Sequence, residues 1–277
     1  MWILEKPSLE QAIEDIKKII EKSNDKITIK DGAILAYIYR LYNRNGGIIS
    51  EADNNRCDTI VQNKLYSMYD YCTYKNRGLY YIRKELFNAN KVCPMCGYNE
   101  SSQLDHQMPR STYKSLSLCR LNLVPLCGVC NNKKHNKDPR MFVHPYYAQF
   151  PSGVIFLIVN VCINIREHKM SWKYNFDFRG IKKDLADKIE YQANAIQLID
   201  RLQQMSNTYL LDLFCNQFFT TDIALKSFLQ FHLNKCISLY GPNDWRTAFI
   251  RALYMSPSLG KEEVENFVNR RRKLVGA

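Results

Sequence analysis

With 277 residues and 46% hydrophobic side chains, the chain can bury a full core, which excludes wholesale disorder and suggests one elaborated domain or two small ones. A formal net charge of +12 fits a polyanionic partner without requiring one. Nothing in Met1-Trp2-Ile3-Leu4-Glu5-Lys6 reads as a signal peptide, and the most apolar run, Val154 to Ile165, falls far short of the ~20 residues that a membrane helix needs and contains Asn160 and Asn164; the expectation is a soluble, cytosolic protein with no membrane partner.

Ser8-Leu9-Glu10-Gln11 has the form of a capping box, and Leu9, Ile13, Ile16 and Ile20 recur at helical spacing, which predicts a first helix. Further helices are expected through Asp31 to Asn43 and Asn63 to Tyr71, separated by the break at Gly46-Gly47, and Gly78 to Asn88 should form the helix that delivers the chain to Cys93. Tyrosine and arginine crowd the stretch from Tyr37 to Arg83; helical spacing favours core or partner contacts over base stacking.

Next come two Cys-x-x-Cys turns, Cys93-Pro94-Met95-Cys96 and Cys127-Gly128-Val129-Cys130. A two-residue gap lets both thiolates of a turn face one tetrahedral ion, so four such ligands predict a structural zinc site, against the alternative of four buried free thiols. The 30 residues between Cys96 and Cys127 exceed the usual spacer and suggest a clip around a functional insert. The other six cysteines, Cys57, Cys72, Cys119, Cys162, Cys215 and Cys236, show no pairing logic and read as core residues in a reducing compartment.

The insert carries Asp105-His106 followed by Pro109, then Asn122-Leu123, then Leu126-Cys127 leading through Cys130 to Asn131 and Lys134. From Cys93 to Lys137 this pattern resembles the HNH nucleases, whose ββα-metal core has a two-stranded ribbon and a helix, here expected to begin near Cys130. The resemblance implies that Asp105 and Asn131 bind a catalytic divalent ion, that His106 is the general base and that Asn122 holds the ribbon loop. Asn131 stands where the last histidine of the motif would be, which bears on the choice of metal. His135, four residues on, would share the helix face of Asn131 and could join the same ion.

These residue types suit phosphodiester hydrolysis. Imidazole accepts a proton near neutral pH without retuning, and a hard cation stabilises the charge that builds on phosphate and leaving oxygen. Oxygen ligands favour magnesium or manganese; a histidine nitrogen widens the choice to zinc or nickel. Taken singly, Asp105-His106 could be a surface pair and Asn131 a helix cap. Arg110, Lys114, Lys133, Lys134 and Lys137, with Arg120 and Arg140, would be a solvated face elsewhere, but beside a phosphate site they read as nucleic-acid backbone contacts.

Past the insert, Phe142-Val143-His144-Pro145-Tyr146 looks like the short HPY segment that follows the core in some bacterial HNH proteins, and His144 is given no catalytic task. Alternation of Met170, Trp172, Tyr174, Phe176 and Phe178 with polar residues after Val154 to Ile165 predicts a hairpin turning at 166–169. Leu185, Ile189, Ile196, Ile199, Leu202 and Met205 mark one long amphipathic helix, and more helices are expected around Asp222 to Leu239, Asp244 to Tyr254 and Glu262 to Lys273. Arg270-Arg271-Arg272-Lys273 is either a nucleic-acid patch or a charged helix end.

The expected architecture is therefore α+β and mainly helical, with an N-terminal helical region (1–90), a zinc-clipped core (91–147) and a C-terminal hairpin-and-helix extension (148–277). A DNA-cutting, metal-dependent endonuclease is the leading functional expectation. The order of these parts more weakly resembles the nuclease component of Septu-type or retron-associated antiphage systems, in which an ATPase is the partner. A stand-alone restriction-type nuclease, a toxin-like RNase on the same scaffold and a nonenzymatic zinc module that binds nucleic acid or protein are the alternatives.

Overall fold

The computed structural model describes every residue except Met1, Asn76, Asn136, His168 and 275–277, and the side chains of all described residues but Thr73 and 271–274. It is α+β and mainly helical, and it divides into two compact units, one of residues 2–149 with 187–192, the other of 150–186 with 193–277.

In the first unit, α1 (Leu9–Lys22) starts where Ser8 Oγ accepts the Gln11 N–H. Only half of the capping box forms, because the Gln11 side-chain oxygen instead accepts a hydrogen bond from Arg120. The second helix, α2 (Ile29–Arg44), has a complete box between Thr28 and Asp31, and ends before Gly46 and Gly47, both of which take the positive φ that side chains disfavour. Two short turns, α3 (Glu51–Asn54) and α5 (Asp70–Thr73), flank α4 (Thr59–Met68), and α6 (Tyr80–Ala89) leads to the first cysteine pair. Strands β1 (Gln103–His106) and β2 (Leu123–Leu126) pair antiparallel with His106 opposite Leu123, and α7 (Gly128–Lys134) comes at once after them.

Leu35, Ile38, Tyr39 and Leu65 from the early helices share one buried cluster with Leu104, Leu116, Leu118 and Leu121 from the insert. At its edge lies an ion cluster. Arg120 forms a two-pronged bond with Asp15 of α1 (Nε to Oδ2 2.6 Å, Nη2 to Oδ1 2.9 Å) and reaches Glu85 of α6 at 2.8 Å, while the Tyr81 hydroxyl donates to Asp15. Planar, bidentate pairing is what lets an arginine this deeply buried keep its charge. Arg120 is therefore not the phosphate contact that its position in the sequence suggests.

In the second unit, β3 (Leu157–Asn164) and β4 (Lys169–Phe176) form the expected hairpin, with Val161 opposite Trp172 and Val159 opposite Tyr174. His168 of the expected turn lies outside the described residues. The expected long helix is two: α8 (Lys183–Ala195) and α9 (Leu198–Phe214) are separated at Gln197, whose φ of +53° is left-handed. Then come α10 (Asp222–Tyr240), α11 (Trp245–Met255) and α12 (Lys261–Leu274). Cys162 is exposed on the outer face of the hairpin and Cys215 is half-buried, so neither is the core residue expected. Arg270 donates to the Glu167 carbonyl, and the side chains of Arg271, Arg272 and Lys273 are outside those described. Among the described residues no helix is long and apolar enough to cross a membrane.

Candidate metal centre and active site

All four sulfur atoms of Cys93, Cys96, Cys127 and Cys130 lie within 4.8 Å of one another, and all four residues are buried. Thiolates about 2.3 Å from a tetrahedral zinc are about 3.8 Å apart, and Cys96 and Cys127 Sγ are separated by 3.9 Å. The donor set and its spacing thus fit a closed structural zinc site. Gly97, at φ +72°, lets the first turn close on itself, its N–H reaching the Cys93 carbonyl at 2.9 Å. The four sulfurs share protons unequally: their mutual hydrogen bonds push the Cys93 and Cys130 thiols up and hold the Cys127 thiol far below the usual range, so Cys127 is the first to supply a thiolate.

Cys127 has a second task. It is the N-cap of α7, its sulfur accepting the Cys130 N–H at 3.4 Å. The helix thus begins two residues earlier than expected, and the metal cluster sets the position of its first turn.

Along β1 the side chains alternate, so Gln103 and Asp105 share one face. On α7, Asn131 and Lys134 are three residues apart and share another. These faces meet: Asn131 Nδ2 donates to Gln103 Oε1 at 2.7 Å, and Lys134 Nζ donates to Asp105 Oδ2 at 2.6 Å. Asp105 and Asn131 consequently lie along one seam, each engaged by a protein neighbour. The bond to Gln103 uses the amide nitrogen of Asn131 and leaves the oxygen, the atom a hard cation takes. Burial raises the Asp105 carboxyl above its ordinary range, with Lys134 acting against it.

Lys134 departs from expectation. It is buried, and besides Asp105 it donates to the His106 carbonyl at 3.1 Å, so its ammonium is turned inward and not toward a bound backbone. His135 departs as well. It caps α7 at φ +39° and is exposed, so the helical i,i+4 alignment with Asn131 is not formed.

His106 is half-buried, and its Nε2 lies 2.9 Å from the Ser117 carbonyl. A carbonyl only accepts, so Nε2 carries the proton and Nδ1 keeps its lone pair. The Tyr69 ring packs against the imidazole at 4.6 Å between centroids, and its hydroxyl donates to the Leu104 carbonyl. Burial, with Arg110 and Lys134 nearby, pushes the imidazole down to about 3, so it is neutral at physiological pH.

Asn122 is fully buried. Its Oδ1 accepts the Met108 N–H at 2.8 Å, its Nδ2 donates to the Met108 and Leu116 carbonyls, and its own carbonyl accepts the Gln107 N–H. The amide spans both ends of the loop that leaves His106 and returns past Ser117.

The cations differ in placement. Arg110 is sandwiched between Tyr66 and Tyr69, 4.3 Å and 4.6 Å from the ring centres. Lys114 bonds Asn63 Oδ1 at 2.7 Å, and Lys137 is exposed, bonding the carbonyl of half-buried Lys133. Arg140 pairs with Asp138 at the surface. Sequence reasoning missed Gln103, Tyr69 and Ser117. Gln103 was within reach, being two residues from Asp105 on an alternating strand. Tyr69 and Ser117 reach His106 only through tertiary packing and carry no local signal.

Paired thiolate turns staple a β1–β2–α7 unit that has Asp105 and Asn131 along its seam, with His106 next in sequence against Tyr69 and the Ser117 carbonyl. Residues 93–137 match the HNH endonuclease family model. Across 91 aligned residues the chain is 29% identical to protein ea31 of Escherichia phage lambda, a match covering 26% of this chain and 31% of the phage protein. The chain thus spans about a third of that relative's length. No solved structure matches.

Proposed function

We propose that the protein is a metal-dependent HNH endonuclease that hydrolyses DNA phosphodiester bonds, working in the cytosol. The observation that carries this reading is the His106 ring, held by Ser117 in the tautomer whose Nδ1 can accept a proton, next in sequence to Asp105 on the seam with Asn131. Water adds to phosphorus while its proton passes to His106 Nδ1, and the bond to the leaving sugar oxygen breaks. An anionic phosphate near the imidazole favours its protonated form, and so opposes the lowering by burial and, to a lesser degree, by Arg110 and Lys134. Asp105 and the Asn131 oxygen would hold the divalent ion, magnesium or manganese on their chemistry, with nickel or zinc if His135 swings in; when bound, it polarises the phosphate and offsets charge on the departing oxygen. Asn122 positions the loop, and Arg110, Lys114, Lys133 and Lys137 contact the nucleic-acid backbone.

A role as the effector of an antiphage system with an ATPase partner goes with this reading. It is supported by the order of helical region, clipped core, HPY segment and C-terminal extension.

One observation favours the nonenzymatic zinc module instead: the ammonium of Lys134 already neutralises the carboxylate that would hold the cation. His106→Ala separates the two. The nuclease reading expects labelled DNA to be cut by wild-type protein with magnesium or manganese, and cleavage to fall by at least about 100-fold in the variant while zinc content and fold persist. Equal, background cleavage by both proteins would leave the binding module. Labelled RNA offered in parallel tests the choice of DNA.

A further inference from the structure

The HPY segment is joined to the HNH segment by a chain of hydrogen bonds through α2. Tyr42 Oη lies 3.0 Å from Asn122 Oδ1 and 2.9 Å from His144 Nε2, while His144 Nδ1 accepts the Tyr146 N–H at 3.3 Å. These contacts admit one direction of donation. With Nδ1 accepting from a backbone N–H, neutral His144 carries its proton on Nε2 and donates it to the Tyr42 oxygen. The single hydroxyl proton of Tyr42 then goes to Asn122 Oδ1, and the Asn122 NH2 serves the two loop carbonyls. Each proton in the chain then has one acceptor, with Asn122 Oδ1 taking two bonds, from Tyr42 and from the Met108 N–H, and reversing the Asn122 amide would set its NH2 against that N–H.

All three side chains are buried, Tyr42 and Asn122 wholly, so no water substitutes for a lost partner at little cost. The ring of His144 is also fixed from outside. A Cβ on Gly47 would fall 2.3 Å from His144 Cδ2, at a φ of +87°, so only glycine lets the end of α2 approach. Tyr147 meets the same ring edge-on at 4.7 Å and bonds Asn43 through its hydroxyl.

We propose that His144 and Tyr42 are positioning residues for His106. They fix the orientation of the Asn122 amide, Asn122 fixes both ends of the loop, and the loop presents the Ser117 carbonyl that holds the His106 imidazole. The inference rests on the nuclease reading for its kinetic consequence, not for the hydrogen-bond network itself.

The test uses full-length, zinc-loaded protein and the variants Tyr42→Phe, His144→Leu, their double combination and His144→Gln. Misplaced catalytic geometry costs on the order of 10- to 100-fold, so Tyr42→Phe and His144→Leu should lose that much in kcat on labelled duplex with manganese while KM stays within about twofold. Because the two act as one relay, the double variant should be no worse than the poorer single one. Gln places an N–H donor close to where Nε2 stood, so His144→Gln should recover most of the rate. Nitrogen-15 spectra of the His106 imidazole should show one Nε2–H form in wild type and His144→Gln, and a mixture in Tyr42→Phe and His144→Leu.

Full kcat in both single variants, losses that multiply in the double, or an unaltered imidazole spectrum would overturn the proposal. If Tyr42→Phe does not fold, the His144→Leu and His144→Gln pair, which leaves the hydroxyl in place, decides. If wild-type protein cleaves nothing, the nuclease reading fails, and the imidazole spectra still decide whether the network orders His106.

Discussion

Lys134 Nζ lies 2.6 Å from Asp105 Oδ2 with both side chains largely shielded, at 4% and 14% exposure, so the carboxylate expected to bind a cation is neutralised by a residue three positions after its proposed co-ligand Asn131. A divalent ion and this ammonium are competitors for one oxygen pair. Removing one partner of a buried ion pair costs about 3–5 kcal/mol because the other charge is stranded. Lys134→Met should therefore lower the melting temperature in buffer free of magnesium and manganese, and manganese should restore it more in the variant than it raises wild type. A thermal scan with and without manganese checks this; a variant indifferent to the ion would argue that Asp105 is no ligand.

Zinc removal should be felt at Trp2. Its N–H reaches the Pro94 carbonyl of the first cysteine turn at 2.9 Å and its side chain is buried, whereas Trp172 and Trp245 belong to the other compact unit. In a Trp172→Phe, Trp245→Phe background, stripping the metal with a strong chelator should shift Trp2 emission to longer wavelength. Thiol titration should rise by four reactive groups over the same interval. Emission unchanged while thiols appear would separate the clip from the segment that precedes α1.

Acid should act through His144. Burial, with Lys134 adding to it, pushes this imidazole down to about 3 from an ordinary value near 6.5. Between those limits the unfolded chain binds more protons than the folded one, so the stability owed to the neutral ring is complete above pH 6.5 and is lost as pH falls. Urea unfolding of wild type and His144→Gln between pH 7 and 5 should show their difference shrinking toward acid, with a slope of at most about 1.4 kcal/mol per pH unit. A constant difference would mean that the ring is solvated.

Arg110 should govern salt dependence. Held between Tyr66 and Tyr69, it loses little side-chain freedom on meeting a phosphate. On the nuclease reading, Arg110→Ala weakens binding of a His106→Ala protein to duplex and reduces the slope of log K against log salt by about 1. An unchanged slope would remove Arg110 from the interface.

How far the sequence discloses this arrangement depends on the range of each interaction. The cysteine turns, the hairpin and most helices follow from local spacing, and the structure has them within a few residues. The exceptions are also physical. Gln197 takes a left-handed conformation that no pattern in its neighbours announces, and His135 leaves the helix one residue too early to align with Asn131. Lys134 and Arg120 look like surface cations in a basic chain, but each is drawn inward by a carboxylate far away in sequence, Asp105 and Asp15. Charge composition reports how many cations exist; only packing decides which of them meet solvent. Likewise the HPY segment is legible as a motif, while its bond to Tyr42 spans 102 positions and has no local trace.

Cys127 is at once a donor to the sulfur cluster and the cap of the helix that bears Asn131 and Lys134. An alkylating or oxidising reagent that modifies this one atom thus strikes tether and helix end together. The scaffold and the seam it supports cannot be poisoned separately at that position, and a thiol-directed inactivator would need only a single hit.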